Sequence, residues 1–260
     1  MVKSLLFGAT IPISVARRGY RLAEGIEIFE GGAALFTDEN VLVVADMHLG
    51  YEAALEYEGL SIPRVQTKKI ERYMVDVIGS VGPRKVIVAG DLKHNFSRNL
   101  VQEWKDVSRF VEVLSGLAPL EVVKGNHDNF LGVILKEREI TLRKTIQIGD
   151  TTVVHGHELV DVSQQIVMGH LHPSIRLTDS VGASLKDQCF LYNERKRVLI
   201  LPALSLVSPG TDVVGQMSSD KMSPLLADAG LSDFVPIAFS GEEALKFPTV
   251  GELREERRRK

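Results

Sequence analysis

The chain has 260 residues, 44% hydrophobic and 25% charged, with a formal net charge of -3. That is the composition of ordinary globular protein, large enough for one big α/β domain or two small ones, and it excludes a fibrous or low-complexity chain. The weak negative charge gives no global pull toward nucleic acid or anionic membrane, so a polyanionic substrate must be held by a local field or by metal ions.

The first nineteen residues have the outline of an export signal, with a lysine, an apolar stretch and the small-x-small triplet Ser14-Val15-Ala16. Gly8, Thr10, Pro12 and Ser14 dilute the apolar run, however, and Arg17 and Arg18 follow where such signals avoid positive charge, so the reading is against a signal. No later stretch approaches the roughly 18 apolar residues of a membrane span. The single cysteine, Cys189, cannot form an intrachain disulfide. A cytoplasmic chain without membrane contact is expected.

Residues 25–36 alternate around Gly31-Gly32 and predict a half-exposed hairpin. Residues 41–45 form a continuous apolar run, a fully buried strand, ending in Asp46-Met47-His48. Helices are predicted over 51–59 and 64–79, the second with Ile70, Met74, Val77 and Ile78 on one face. Residues 85–89 are the next buried strand, ending in Gly90-Asp91. A helix over 98–117 presents Val101, Trp104, Val107, Phe110, Val111 and Leu114 at core spacing. A third strand over 120–123 ends in Gly125-Asn126-His127-Asp128. Strand, helix, strand, helix, strand is the order of a parallel sheet with crossover helices.

After Ile140 closely spaced strands follow, over 145–148, 151–155, 165–168, 174–177, 188–193 and 197–201, as in a second, more antiparallel layer. Residues 211–233 have no clear period, 234–239 read as a final strand and 241–246 as a short helix. The charged tail is either a contact for nucleic acid or a partner, or a solvated frayed helix. No repeat or linker divides the chain.

The seven histidines are not scattered. His48, His94, His127, His155, His157, His170 and His172 all stand just past apolar strand-like runs, usually beside glycine or a carboxylate. A lone histidine is more often a satisfied polar group than a ligand, but no packing requirement places seven this way. Strand ends bearing imidazoles, carboxylates (Asp46, Asp91) and an amide (Asn126), without thiolate, suit borderline divalent ions such as Mn, Fe, Zn, Co or Ni better than Ca or Mg. The donors are too many for one ion, whereas two ions about 3.5 to 4 Å apart with a bridging carboxylate would use them all.

The order D-x-H, G-D, G-N-H-D, H-G-H, G-H-x-H resembles the calcineurin-like metallophosphoesterase superfamily. The fuller forms ADMHLGYE and GDLKHNF resemble its ICC-like branch, the archaeal and DNA ligase-associated phosphoesterases. The resemblance covers roughly residues 25–210 and implies an α/β fold with a two-layered β-sandwich core flanked by helices. It implies a single metallophosphoesterase domain over residues 1–240, followed by a charged helix or tail over 241–260. It further implies two divalent transition-metal ions, Mn foremost. One ion would be held by Asp46, His48 and His172 and the other by Asn126, His155 and His170, with Asp91 bridging. His127 would contact the phosphate and protonate the leaving oxygen, with Asp128 steering its ring, while a metal-activated hydroxide attacks phosphorus.

Lys93 and His94 depart from the common pattern after Asp91. They would either supply phosphate-binding charge or lie on the surface. His157 would orient another ligand or face solvent. The function expected is hydrolysis of a phosphoester, a phosphodiester such as a nucleic acid or cyclic nucleotide before a monoester. The alternative is a catalytically silent scaffold of the same fold that binds proteins.

Overall fold

The computed structural model describes residues 18–60, 62–95, 100–162, 164–178, 182–215, 223–227 and 230–259. Residues 1–17, which carry most of the signal-like outline, lie outside them. In chain order the elements are β1 (Tyr20–Ala23), β2 (Ile26–Phe29), β3 (Ala33–Phe36), β4 (Val41–Val44), α1 (Tyr51–Tyr57), α2 (Gln66–Val81), β5 (Lys85–Ala89), α3 (Val101–Leu117), β6 (Leu120–Val123), α4 (Leu131–Lys136), β7 (Leu142–Arg143), β8 (Thr145–Ile148) and β9 (Thr151–Val154). There follow β10 (Gln165–Met168), β11 (Pro173–Thr178), β12 (Ser184–Asn193), β13 (Val198–Ile200), β14 (Thr211–Asp212), β15 (Val235–Ser240), β16 (Glu243–Lys246) and α5 (Val250–Arg259).

They form two stacked sheets, ordered β1-β2-β3-β4-β5-β6-β7 and β14-β11-β12-β13-β10-β9-β8, with β15 and β16 added beside β12. The period-2 alternation of each strand sorts its side chains between two cores. In β4 and β5, Leu42, Val44, Val86 and Val88 face helices α2 and α3 and meet Met74, Val77, Phe110 and Leu114. The intervening Val41, Val43 and Ile87 meet Val153, Val167 and Leu199 of the second sheet. Burial on both faces is why these strands read as unbroken apolar runs. The result is a two-layered β-sandwich flanked by helices.

Within each sheet a parallel block sits at the centre: β4, β5 and β6 in the first, β9, β10 and β13 in the second. The second sheet has more antiparallel pairs than the first, as expected, yet the strands that lead to the histidines are its parallel ones. Among the described residues no helix is long and apolar enough to cross a membrane.

Three expectations need correction. The hairpin β2-β3 exists, but β3 is buried along its whole length, because it is an inner strand covered on both faces. Residues 243–246 are strand β16, paired with β15, rather than part of a helix over 241–246. Gly241, at φ 60, opens a two-residue turn between Ser240 and Glu243, and this hairpin geometry overrides the weak helical pattern. The charged tail is helix α5 and is docked: Val250 is buried, Arg254 donates to the Val213 carbonyl at 2.8 Å and Arg257 stands 3.3 Å from Asp212.

Candidate metal centre

Each parallel block delivers its C-terminal ends to the same edge of the sandwich, the edge where such sheets place their sites. There the chain leaves strand geometry abruptly. Asp46, His48, Asp91, His170 and His172 all have positive φ, between 46° and 69°. A non-glycine residue in this region costs on the order of 1–3 kcal/mol, so the surroundings must over-determine it. They do. Asp46 N–H donates to the Gly90 carbonyl (3.1 Å), His48 N–H to the Asp91 carbonyl (2.9 Å) and Thr211 N–H to the His172 carbonyl (2.7 Å). The Asp46 carboxylate receives the His170 N–H (2.8 Å), and that of Asp91 the His127 N–H (2.9 Å). A Cβ at position 125 would lie 2.1 Å from Asp91 Oδ1, so the glycine before Asn126 is a packing requirement.

The seven predicted ligands come together around Asp91. Asp46, His48, Asp91 and His172 bring one donor atom each to within 4.8 Å of one another. His48 Nε2 is 3.2 Å from His172 Nε2 and 3.7 Å from Asp91 Oδ2, and His172 Nε2 is 3.5 Å from Asp46 Oδ2. On the other side of the same Asp91 oxygen, His155 Nε2 stands at 3.4 Å from it and 3.0 Å from Asn126 Oδ1. The His170 ring lies 4.9 Å from that of His155.

The outer nitrogens of His48, His155 and His172 are occupied, which fixes which nitrogen of each points inward. His155 Nδ1 donates to the Ala89 carbonyl (3.1 Å), and His172 Nδ1 lies 2.9 Å from Ser208 Oγ. His48 Nδ1 lies 3.3 Å from His94 Nδ1, and Tyr51 stacks on His94 at 3.7 Å and 12°. Gln66 holds the back of the site. Its amide nitrogen donates to the His48 carbonyl, and its oxygen accepts from Ser205 Oγ and from the amides of Leu206 and Val207. Sequence reasoning missed Ser208 and Gln66, because neither follows a strand and neither belongs to a motif.

The neighbours expected to be catalytic are arranged differently. His127 Nδ1 bonds the carbonyl of His94, while both oxygens of Asp128 accept main-chain amides, from Gly125 at 2.8 Å and Lys93 at 3.2 Å. The His94 carbonyl thus holds the His127 ring at Nδ1, and the Asp128 oxygens brace the loop. Lys93 is neither a surface residue nor a charge offered to phosphate, since it is 2% exposed and paired with Glu103. His157 is half-buried beside His155, with ring centroids 5.1 Å apart and its Nδ1 unbonded.

Burial holds His48 down to about 3 and His94 and His170 to about 4, so these imidazoles are neutral and able to ligate. His155 goes the other way. Burial opposes its protonation, but the adjacent Asp91 and Asp46 carboxylates push it up to about 9. Burial likewise disfavours the Asp91 carboxylate, yet His155 and His48 hold it well below the ordinary range. Burial, with the charge of Asp91 added, pushes Asp128 up to about 7.

Divalent cations fit these residues. The inner nitrogens of His48 and His172 face each other across 3.2 Å, close enough for one cation to be held by both. Asp46 Oδ1 is buried without a hydrogen bond. His155 Nε2 meets two acceptors, Asn126 Oδ1 and Asp91 Oδ2, and its raised proton affinity marks a place built for positive charge.

Residues 39–200 match the family model described as calcineurin-like phosphoesterase. Among solved structures, the nuclease MPE of Pseudomonas putida is similar at a TM-score of 0.57 and 16% identity, over 82% of this chain and 91% of that one. The phosphoesterase Yfce of E. coli is matched over 68% of this chain and 83% of its own, at 15% identity and a TM-score of 0.38. No curated protein sequence matches the chain. At these identities the first structure speaks for the fold alone.

Proposed function

The chain belongs to the calcineurin-like phosphoesterase family, and from that premise we propose that it hydrolyses a phosphodiester, a nucleic acid or cyclic nucleotide, at a centre of two divalent transition-metal ions. The assignment gives one ion to Asp46, His48 and His172 and the other to Asn126, His155 and His170, with Asp91 shared. The observation that carries it is the position of Asp91 Oδ2, 3.7 Å from His48 Nε2 and 3.4 Å from His155 Nε2. Mn is the preferred ion, with Fe, Zn, Co and Ni as substitutes, because the donors mix imidazole nitrogen with oxygen.

Such ions, when bound, supply Lewis-acid charge to phosphoryl oxygens and make a water nucleophilic near neutral pH. The side chains do the rest. His127 keeps its Nδ1 proton on the His94 carbonyl, so Nε2 is the free ring atom that takes up a proton and then passes it to the leaving oxygen. The buried pairing of Lys93 favours a diester, since the cation nearest in sequence to Asp91 is not offered to a monoester dianion. A fold relative that is a nuclease is in keeping with nucleic acid as a substrate. A protein-binding scaffold has no use for seven converging ligands.

The test is a panel of phosphomonoesters, phosphodiesters, cyclic nucleotides and DNA, assayed after metal stripping and again with Mn, Co, Ni or Ca. Activity should vanish on stripping, return with Mn, Co or Ni more than with Ca, and favour diesters. Full activity in excess chelator, with no residual metal, refutes the metal assignment. Preference for monoesters refutes the diester reading, and no hydrolysis by metal-loaded protein leaves the scaffold.

A further inference from the structure

The loops that follow β4 and β5 run side by side into the site. Leu49 N–H donates to the Leu92 carbonyl at 2.9 Å and His94 N–H to the Leu49 carbonyl at 3.0 Å, which zips the two together as far as His94. At the next residue the partner comes from α3. Glu103 Oε2 accepts the Asn95 N–H at 2.8 Å, Glu103 Oε1 faces Lys93 Nζ at 3.3 Å, and Lys93 Nζ bonds the Asn95 carbonyl. One ion pair thus grips both main-chain polar groups of Asn95. The pair is deeply buried, with side chains 3% and 2% exposed. A Cβ at position 50 would stand 2.6 Å from Glu103 Cγ, so the carboxylate arm passes through space that only glycine leaves.

Stability does not account for this arrangement. Desolvating two charges offsets most of their attraction, and replacing a buried pair by apolar side chains is often neutral or stabilising. The pair holds Asn95, the residue next to His94, and the His94 carbonyl bonds Nδ1 of His127. We infer that Glu103 is a positioning residue for His127: with Lys93 it fixes Asn95, thereby the His94 carbonyl, and thereby the tautomer and direction of the imidazole. The inference rests on His127 being the acid proposed above. It assigns a role to a residue of α3 that lies outside every motif.

The test uses the full metal-loaded chain in four forms: wild type, His127→Asn, Glu103→Gln, and the double variant Lys93→Met/Glu103→Leu, which removes both charges while keeping bulk. Each is assayed on a diester with a nitrophenolate leaving group and on one with an alkoxide, with metal content and thermal midpoint measured alongside. A displaced acid matters only where the leaving group needs the proton. Both Glu103 variants should therefore stay within about threefold of wild type on nitrophenolate and lose about ten- to a hundredfold on alkoxide, the same selective pattern as His127→Asn. Imidazole ¹⁵N spectra of the metal-free protein give a readout independent of activity: His127 should be the Nδ1–H tautomer in wild type and shift toward Nε2–H in the Glu103 variants. Equal losses on the two esters, or an unchanged His127 tautomer, overturns the inference. If His127→Asn itself shows no difference between leaving groups, the acid reading falls, and the positioning role falls with it.

Discussion

Asp91→Asn should empty both metal positions at once, because Asp91 Oδ2 lies within 4 Å of both His48 Nε2 and His155 Nε2. The substitution keeps the volume and the acceptor for the His127 N–H, so the loop that depends on it should survive. What is lost is one negative charge. At a separation of about 4 Å and an effective dielectric near 20, a unit charge is worth about 4 kcal/mol to another and about twice that to a divalent ion. If the amide oxygen and solvent recover half, about 4 kcal/mol remains, or roughly 10³-fold in affinity at each position. Calorimetric titration of the stripped protein with Mn, checked by elemental analysis after dialysis, measures this directly. Asp128→Asn serves as the control, since its carboxylate accepts the main-chain amides of Gly125 and Lys93, and the substitution should lower the thermal midpoint without emptying the site. Two ions bound to Asp91→Asn at wild-type affinity would refute the shared carboxylate.

His127→Asn should keep its metal and lose about 10² to 10⁴ in rate on a poor alkoxide leaving group, with a much smaller loss on nitrophenolate; loss of an ion in elemental analysis would make it a ligand instead. Ser208→Ala frees Nδ1 of His172, and should weaken metal binding by about ten- to a hundredfold in the same calorimetric titration while leaving the fold intact. Cys189 is 1% exposed in β12, and burial pushes its thiol far above the ordinary range. It should resist a disulfide reagent at neutral pH until the chain unfolds, and labelling of native protein at the rate of a free thiol would contradict its placement.

Local chemistry made much of this protein legible. Val41–Val44 and Lys85–Ala89 read as buried strands because both faces of β4 and β5 are covered, and the helices that follow each of them were legible from the spacing of Ile70 and Met74 and of Phe110 and Leu114. Where expectation failed, a distant partner had decided. Residues 241–246 lacked a strong period, and pairing with β15 made the last four a strand. Asp128 was expected to steer the ring beside it in sequence, but its oxygens were already taken by the amides of Gly125 and Lys93. Lys93 read as either a charge for phosphate or a surface residue because Glu103, ten residues on, has no signal that says it turns inward.

By itself the sequence determined which side chains stand at strand ends and that their donors suit borderline metal ions, because strand periodicity and ligand chemistry are both local properties. Only the tertiary structure decided that donor atoms of Asp46, His48, Asp91 and His172 gather within 4.8 Å of one another, which nitrogens of His48, His155 and His172 point inward, and that His94, Ser208 and Gln66 stand behind them. Those facts depend on β4, β5, β9 and β10 bringing residues more than a hundred positions apart to one edge, as His48 and His172 are brought to 3.2 Å. No pattern within a single strand carries that distance.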